Sequence, residues 1–166
     1  VFPPPGRWDP TAYLDLTVQH GISTWSGVPT QFWRLLRHEQ LEDYDLRCVT
    51  TIGSGGAPFP PELVRALTER LPWVTLSNGY GMSEAGTVLH TPIDRRAVQD
   101  NPGSVGLPAP LLDIRIVGED GREVDEGEIG ELWLRGPAVT PGYWNKPLET
   151  AAAFSDRPPS TARTRW

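Results

Sequence analysis

Through the first 76 residues, apolar side chains recur at helical spacing between short β-branched runs. Asp9-Pro10 reads as a helix cap followed by proline in the first turn, with Leu14 and Val18 behind it at helical spacing. "ISTWSGV" (22 to 28) is a short strand candidate, and Thr30 is placed to cap a helix whose apolar face holds Phe32, Leu35 and Leu36. "CVTTI" (48 to 52) predicts a strand. "PPELVRALTERL" (60 to 71) predicts a helix, because proline opens it and Leu63, Leu67 and Leu71 fall at i, i+4 and i+8. "WVTL" (73 to 76) is a further strand. This alternation predicts an α/β fold, with a parallel sheet and crossover helices.

The pattern changes after residue 102. "LLDIRIV" alternates through Leu112, Ile114 and Ile116, "GEDGRE" turns the chain, and "EIGELWLRG" returns with Leu132 and Leu134 on one face. "NKPLETAAAF" (145 to 154) predicts a short helix with an alanine-rich face. The expected division is therefore a partial α/β subdomain at 1–100, a partial β subdomain with a short helix at 101–154, and an irregular tail at 155–166. Glu128, Glu131 and Trp133 read as half-buried strand residues, and Tyr143 and Trp144 as packing residues. Between the two patterns lies "NGYGMSEAGTV" (78 to 88), which shows neither period and reads as a flexible loop after a strand.

Composition removes several classes of function. The chain has 166 residues and a net charge of −6, so it offers no basic footprint for nucleic acid. No apolar run reaches the ~20 residues that span a bilayer, and no signal-peptide pattern opens the chain. Cys48 is the one cysteine, which excludes an internal disulfide and suits a cytoplasmic setting; it reads as a core residue. The first methionine is Met82, so the chain reads as a processed product or a piece of something longer. There is one lysine, Lys146.

Glycine-rich segments invite a phosphate-loop reading, but "GSGGAP" (53 to 58) lacks the Gly-Lys-Ser/Thr of a P-loop and has Pro58 where the dinucleotide fingerprint needs glycine. By itself it is a turn between strand and helix. "GMSEA" (81 to 85) nearly matches the hydrolase Gly-x-Ser-x-Gly elbow, which would make Ser83 a nucleophile. Ala85 replaces the last glycine, however, and His90 precedes Asp94, whereas the hydrolase order places the acid before the histidine. His20, His38 and His90 match no metal-ligand spacing, and the first two read as surface residues.

Six segments in order, "GVPTQFWRLL", "GSGGAPFPPELV", "NGYGMSE", "GSVGLPAP", "GEIGELWLRGP" and "GYWNKPLETAAAF", resemble the adenylate-forming (AMP-binding) enzymes. The resemblance runs from residue 8 to about 156 and represents well under half of a family member. It implies part of a doubly wound parallel sheet followed by part of a β-rich subdomain. It also implies attack of a carboxylate on the α-phosphate of ATP, release of pyrophosphate, and an acyl-adenylate product. In the family's Tyr-Gly-x-Thr/Ser-Glu motif the tyrosine stacks on adenine, here Tyr80. Ser83 matches the hydroxyl that faces the α-phosphate, and Glu84 matches the carboxylate that binds magnesium. Gly79 and Gly81 allow backbone to approach the nucleotide and acyl group. Gly55, Gly56 and Ala57 are implied as the adenine-site wall, with Asn78 at its edge. Met82 points toward acyl-CoA synthetases, because peptide-synthetase domains usually carry proline there. The implied substrates are a carboxylic acid, ATP and CoA; a carrier-protein thiol stays open as the acceptor.

The 166 residues depart from the family in three respects. The upstream phosphate loop with its lysine, the Thr-Gly-Asp whose aspartate binds ribose, and the C-terminal domain with its catalytic lysine are not among them. Asp156 is not the ribose aspartate, since Arg157-Pro158-Pro159 breaks the pattern, and Lys146 belongs to the "NKP" turn. The expectation is a middle fragment of an acyl-CoA synthetase, inactive by itself. The alternatives are a non-catalytic remnant acting as an interaction or regulatory module and, further off, a serine hydrolase using Ser83.

Overall fold

The computed structural model describes residues 6–92, 96–155 and 161–165. Helix α1 (Pro10–His20) begins where the Asp9 carboxylate accepts the Ala12 amide, and it ends at Gly21 in the left-handed conformation. Val18 does not share the burial of Leu14: it is 45% exposed, and Thr17 lies inside instead. The Thr17 hydroxyl earns that position by accepting the Trp25 indole N–H at 3.0 Å. Strand β1 (Thr24–Gly27) leads to helix α2 (Pro29–Leu36), which buries Phe32, Leu35 and Leu36 as expected. Thr30 is not its cap: the Val28 amide donates to the Gln31 side-chain oxygen, and Pro29 occupies the first turn.

A short 3-10 turn (Leu41–Asp43) precedes strand β2 (Thr51–Gly55), which begins at Thr51 rather than Cys48 and continues into the glycine-rich segment. Helix α3 (Pro61–Arg70) buries Leu63, Val64 and Leu67. Strand β3 (Thr75–Met82) then runs straight through "NGYGM", so most of the supposed loop is extended backbone. Both β1 and β3 pair in parallel with β2, matching Ile52 to Trp25 and Leu76, and Gly55 to Gly79. Strand β4 (Gly86–His90), helix α4 (Ala97–Asp100) and strand β5 (Leu107–Pro108) follow, and the sheet order is β1-β2-β3-β4-β5. This is the expected α/β architecture.

Strands β6 (Asp113–Val117) and β7 (Glu131–Arg135) are antiparallel, with Ile114 opposite Leu134 and Ile116 opposite Leu132. Helix α5 (Pro147–Ala153) buries none of its residues. The tail is not wholly irregular. Strand β8 (Phe154–Ser155) and strand β9 (Thr161–Arg165) complete a sheet of order β6-β7-β9-β8. Backbone pairing with β7 extends β9 without any apolar period in its sequence.

Contacts divide the chain into two compact units, Val1–Tyr80 with His90–Leu107, and Gly81–Leu89 with Pro108–Trp166. Both are discontinuous in sequence, whereas a single boundary near Asn101 was the simpler expectation. The first unit's core gathers Leu14, Trp25, Phe32, Ile52, Leu63 and Leu67 at its centre. Each fully buried aliphatic or phenyl side chain contributes roughly 1.5–3 kcal/mol relative to exposure. Among the described residues, no helix is long and apolar enough to cross a membrane.

Candidate functional site

In the first unit, β2 delivers Gly55 at its end, and Gly56 and Ala57 form an exposed bend, with Gly56 at φ +73°. A Cβ on Gly55 would stand 3.2 Å from the Gly79 carbonyl oxygen, so the two glycines keep these strand ends in close contact. Ser54, one residue back, is 6% exposed and its hydroxyl has no hydrogen-bond partner among the described residues. Asn78 is buried, and its backbone and side-chain NH2 are all engaged. Its amide donates to the Thr91 hydroxyl at 2.8 Å, its carbonyl accepts the Thr91 amide at 2.8 Å, and its side-chain NH2 donates to the Ser104 carbonyl at 2.9 Å. The Asn78 side chain therefore fixes the neighbouring segment to β3. Tyr80 follows on the same strand, half-buried.

In the second unit, β3 ends at Met82, and residues 83 to 85 make a turn into β4. The turn is closed by the Ala85 amide donating to the Met82 carbonyl at 3.2 Å, with Ala85 buried. Gly81 is required here, because a Cβ would come within 2.5 Å of the Gly86 carbonyl oxygen. Ser83 is exposed and Glu84 half-buried. The Tyr143 phenol donates to Glu84 Oε1 at 2.5 Å, and the Thr140 amide donates to the Glu84 carbonyl at 2.7 Å. Tyr143 titrates above its ordinary 10.0, chiefly because of that hydrogen bond, then through desolvation and the Glu84 charge.

Tyr143 is thus a partner of a candidate site residue, which its sequence neighbourhood did not announce. Trp144, read as a packing residue, is 90% exposed. Glu131 and Trp133 are half-buried in β7 as expected, with the Trp133 indole donating to Glu131, while Glu128 is exposed in the preceding turn.

A nucleophile elbow needs strand, turn and helix around its serine. Ser83 sits between two strands, because "GTVLH" forms β4 instead of a helix. His38 bonds Thr11 and the Gln40 amide, and His90 bonds the Thr91 carbonyl; His20 is exposed. Asp94 and Asp156 lie outside the described residues. Cys48 is half-buried against the first core, its thiol donating toward the Thr17 carbonyl at 3.9 Å.

The parallel strands thus carry a glycine-bearing bend after β2 and Tyr80-Gly81-Met82 at the end of β3, with Ser83 and Glu84 in the turn that follows. The AMP-binding enzyme family matches residues 1–144, and the chain belongs to that family. A long-chain-fatty-acid–CoA ligase of Bacillus subtilis (strain 168) is 38% identical over 151 residues, covering 90% of this chain and 26% of the ligase. A feruloyl-CoA synthase of Amycolatopsis is 35% identical over 149 residues, covering 90% of this chain and 30% of the synthase. Among solved structures, the amide bond synthetase McbA from Marinactinospora thermotolerans matches with a TM-score of 0.80 at 29% identity, covering 95% of this chain and 31% of McbA. The chain spans less than a third of the length of each of these relatives.

Proposed function

We propose that these residues form part of an AMP-forming carboxylate–CoA ligase of the cytoplasm. The observation that supports this most is the Tyr80-to-Glu84 run at the end of a parallel strand, in a chain 38% identical to a fatty-acid–CoA ligase. In the first half-reaction a carboxylate oxygen attacks the α-phosphorus of ATP, and the bond to pyrophosphate breaks. In the second, the CoA sulfur attacks the acyl carbon and AMP leaves. Tyr80 offers a ring for adenine to stack on, and Gly55, Gly56, Ala57 and Gly79 present backbone without side-chain bulk. Asn78 contributes as the buried anchor of that wall. Gly81 lets the strand end pass close to Gly86. Ser83, exposed in the turn, donates its hydroxyl to the α-phosphate, where negative charge grows during attack.

Glu84 suits magnesium as a hard oxygen donor. Among the described residues no group of three or more metal-binding side chains exists. A single carboxylate nonetheless fits this ion, which keeps several waters and takes its other ligands from phosphates. When bound, magnesium neutralises phosphate charge; the chain's part is to hold one carboxylate in place.

The test is carboxylate-dependent exchange of labelled pyrophosphate into ATP by a full-length enzyme carrying this segment. Ser83→Ala removes a hydrogen bond to a charged group, worth ~1.5–3 kcal/mol, and is expected to slow exchange about ten- to a hundredfold. Parental exchange in that variant would refute the assignment. The 166 residues by themselves are expected to give no exchange above a protein-free control. They supply one wall of the site, and each further transition-state contact is worth ~2.7–4 kcal/mol if an oxyanion-hole donor is a fair guide. Exchange by the isolated chain would mean that this wall does far more than we assign to it.

A further inference from the structure

Glu84 is gripped at two points by one short turn. Across 56 to 59 positions of sequence, the Thr140 amide reaches its carbonyl at 2.7 Å and the Tyr143 hydroxyl reaches its carboxylate at 2.5 Å. That turn is itself tightly specified. Gly142 has φ +151°, and a Cβ there would lie 2.5 Å from the Thr150 methyl carbon, so only glycine lets the chain pass. The Tyr143 amide donates to the Thr150 hydroxyl at 2.9 Å, and the Lys146 amide donates to the Tyr143 carbonyl at 3.2 Å. The Tyr143 ring stands edge-on to Phe154, with centroids 5.6 Å apart. Backbone and ring are therefore both tied before the hydroxyl is used. A glutamate on a hairpin turn ordinarily samples several rotamers. Here one carboxylate oxygen is occupied, and no hydrogen bond of the described residues engages Oε2.

We propose that the Thr140–Tyr143 turn is a clamp and that Tyr143 is a positioning residue for Glu84. Its phenol fixes Oε1, so that Oε2 is presented in one direction to a divalent cation. This rests on the assignment of Glu84 to magnesium made above. It adds the residue that orients the ligand, a type of partner whose loss typically costs 10–100-fold in metal affinity.

The experiment has two arms. In the 166-residue chain without nucleotide or metal, amide hydrogen exchange is followed at Thr140 in the parent and in Tyr143→Phe, which keeps the ring against Phe154. Faster exchange at Thr140 in the variant, at an unchanged melting temperature, supports the clamp; an unchanged Thr140 amide overturns it. In a full-length enzyme carrying the segment, half-saturating magnesium is measured for Tyr143→Phe, Glu84→Gln and the double variant. Tyr143→Phe is expected to raise it ~10-fold. It is expected to add nothing in the Glu84→Gln background, because Tyr143 acts only through that carboxylate. Fully additive effects, or no shift in Tyr143→Phe while Glu84→Gln shifts, would overturn the positioning role. If Glu84→Gln itself leaves the magnesium requirement untouched, the metal assignment fails, and with it the positioning of a metal ligand. The Thr140 amide still reports the clamp as a feature of the fold.

Discussion

The first unit buries the apolar faces of three helices, with Leu14, Leu35, Leu63 and Leu67 all at or near zero exposure. The second unit buries Leu132, Leu134 and Val88, yet leaves Leu111, Ile129 and Leu148 between 69% and 85% exposed and packs no residue of α5 inside. One is ordered by a continuous core, the other by strand pairing and specific hydrogen bonds. Tyr80 and the glycine bend sit on the well-packed unit, whereas Ser83 and Glu84 belong to the thinly packed one. Both units carry a tyrosine bonded to a carboxylate, Tyr44 to Asp15 at 3.0 Å and Tyr143 to Glu84 at 2.5 Å. In the second, the pair holds a candidate site residue.

The comparison breaks most readily in the cores. Leu67→Ala is expected to cost ~2–5 kcal/mol and to unfold the first unit in chemical denaturation. Leu134→Ala, equally buried, should loosen the second unit while the slowest-exchanging amides of β2 stay protected. Loss of β2 protection in Leu134→Ala would show that the units do not differ in independence.

The effect of alkali should be smaller. Tyr143 and Tyr44 both titrate above 10.0, each first because of its carboxylate partner. A raised folded value means that their contribution is whole below pH 10 and is lost as pH climbs through the folded value. The first unit has its core to fall back on, so proteolysis by an alkali-tolerant protease should cut the second unit first. Tyr143→Phe should remove the pH dependence of that cutting.

Smaller still is Ser54→Ala. An unpaired buried hydroxyl carries a penalty of ~1–3 kcal/mol, so this substitution should be neutral or stabilising in thermal melts. Marked destabilisation would reveal a partner for Ser54. Trp144→Ser, at a position 90% exposed, should stay within ~0.5 kcal/mol of the parent.

The helices of the first unit were legible because Leu63, Leu67 and Leu71 mark a helical face at regular spacing, and proline opens α3. Strand β3 was legible only in part. Gly79 and Gly81 have no side chains, so a period of two leaves no trace there, and pairing with β2 extends the strand as far as Gly79 regardless. The segment 78 to 88 shows neither period, yet its last residues open β4. The motif identified Ser83 and Glu84 as candidates. Tyr143 could not be matched to Glu84 by any local pattern, since the two are brought together by the turn at Gly142 and by Thr150.

Asn78 is followed by glycine, the pair most prone to spontaneous deamidation in a flexible chain. That chemistry requires the Gly79 nitrogen to attack the Asn78 side-chain carbonyl, expelling ammonia and forming a cyclic imide. Here the Asn78 backbone is paired to Thr91 on one side and registered with Ser54 on the other, and its NH2 is held by Ser104. The extended, bonded geometry keeps nitrogen and carbonyl from closing the ring. Each excursion that opens β3 exposes the pair, and each ring that then hydrolyses leaves an aspartate or isoaspartate. An aspartate there would face the Ser104 carbonyl oxygen with another oxygen, so the strand could not close as before. The extent of deamidation at Asn78 should therefore keep a permanent chemical record of how often the strand has opened.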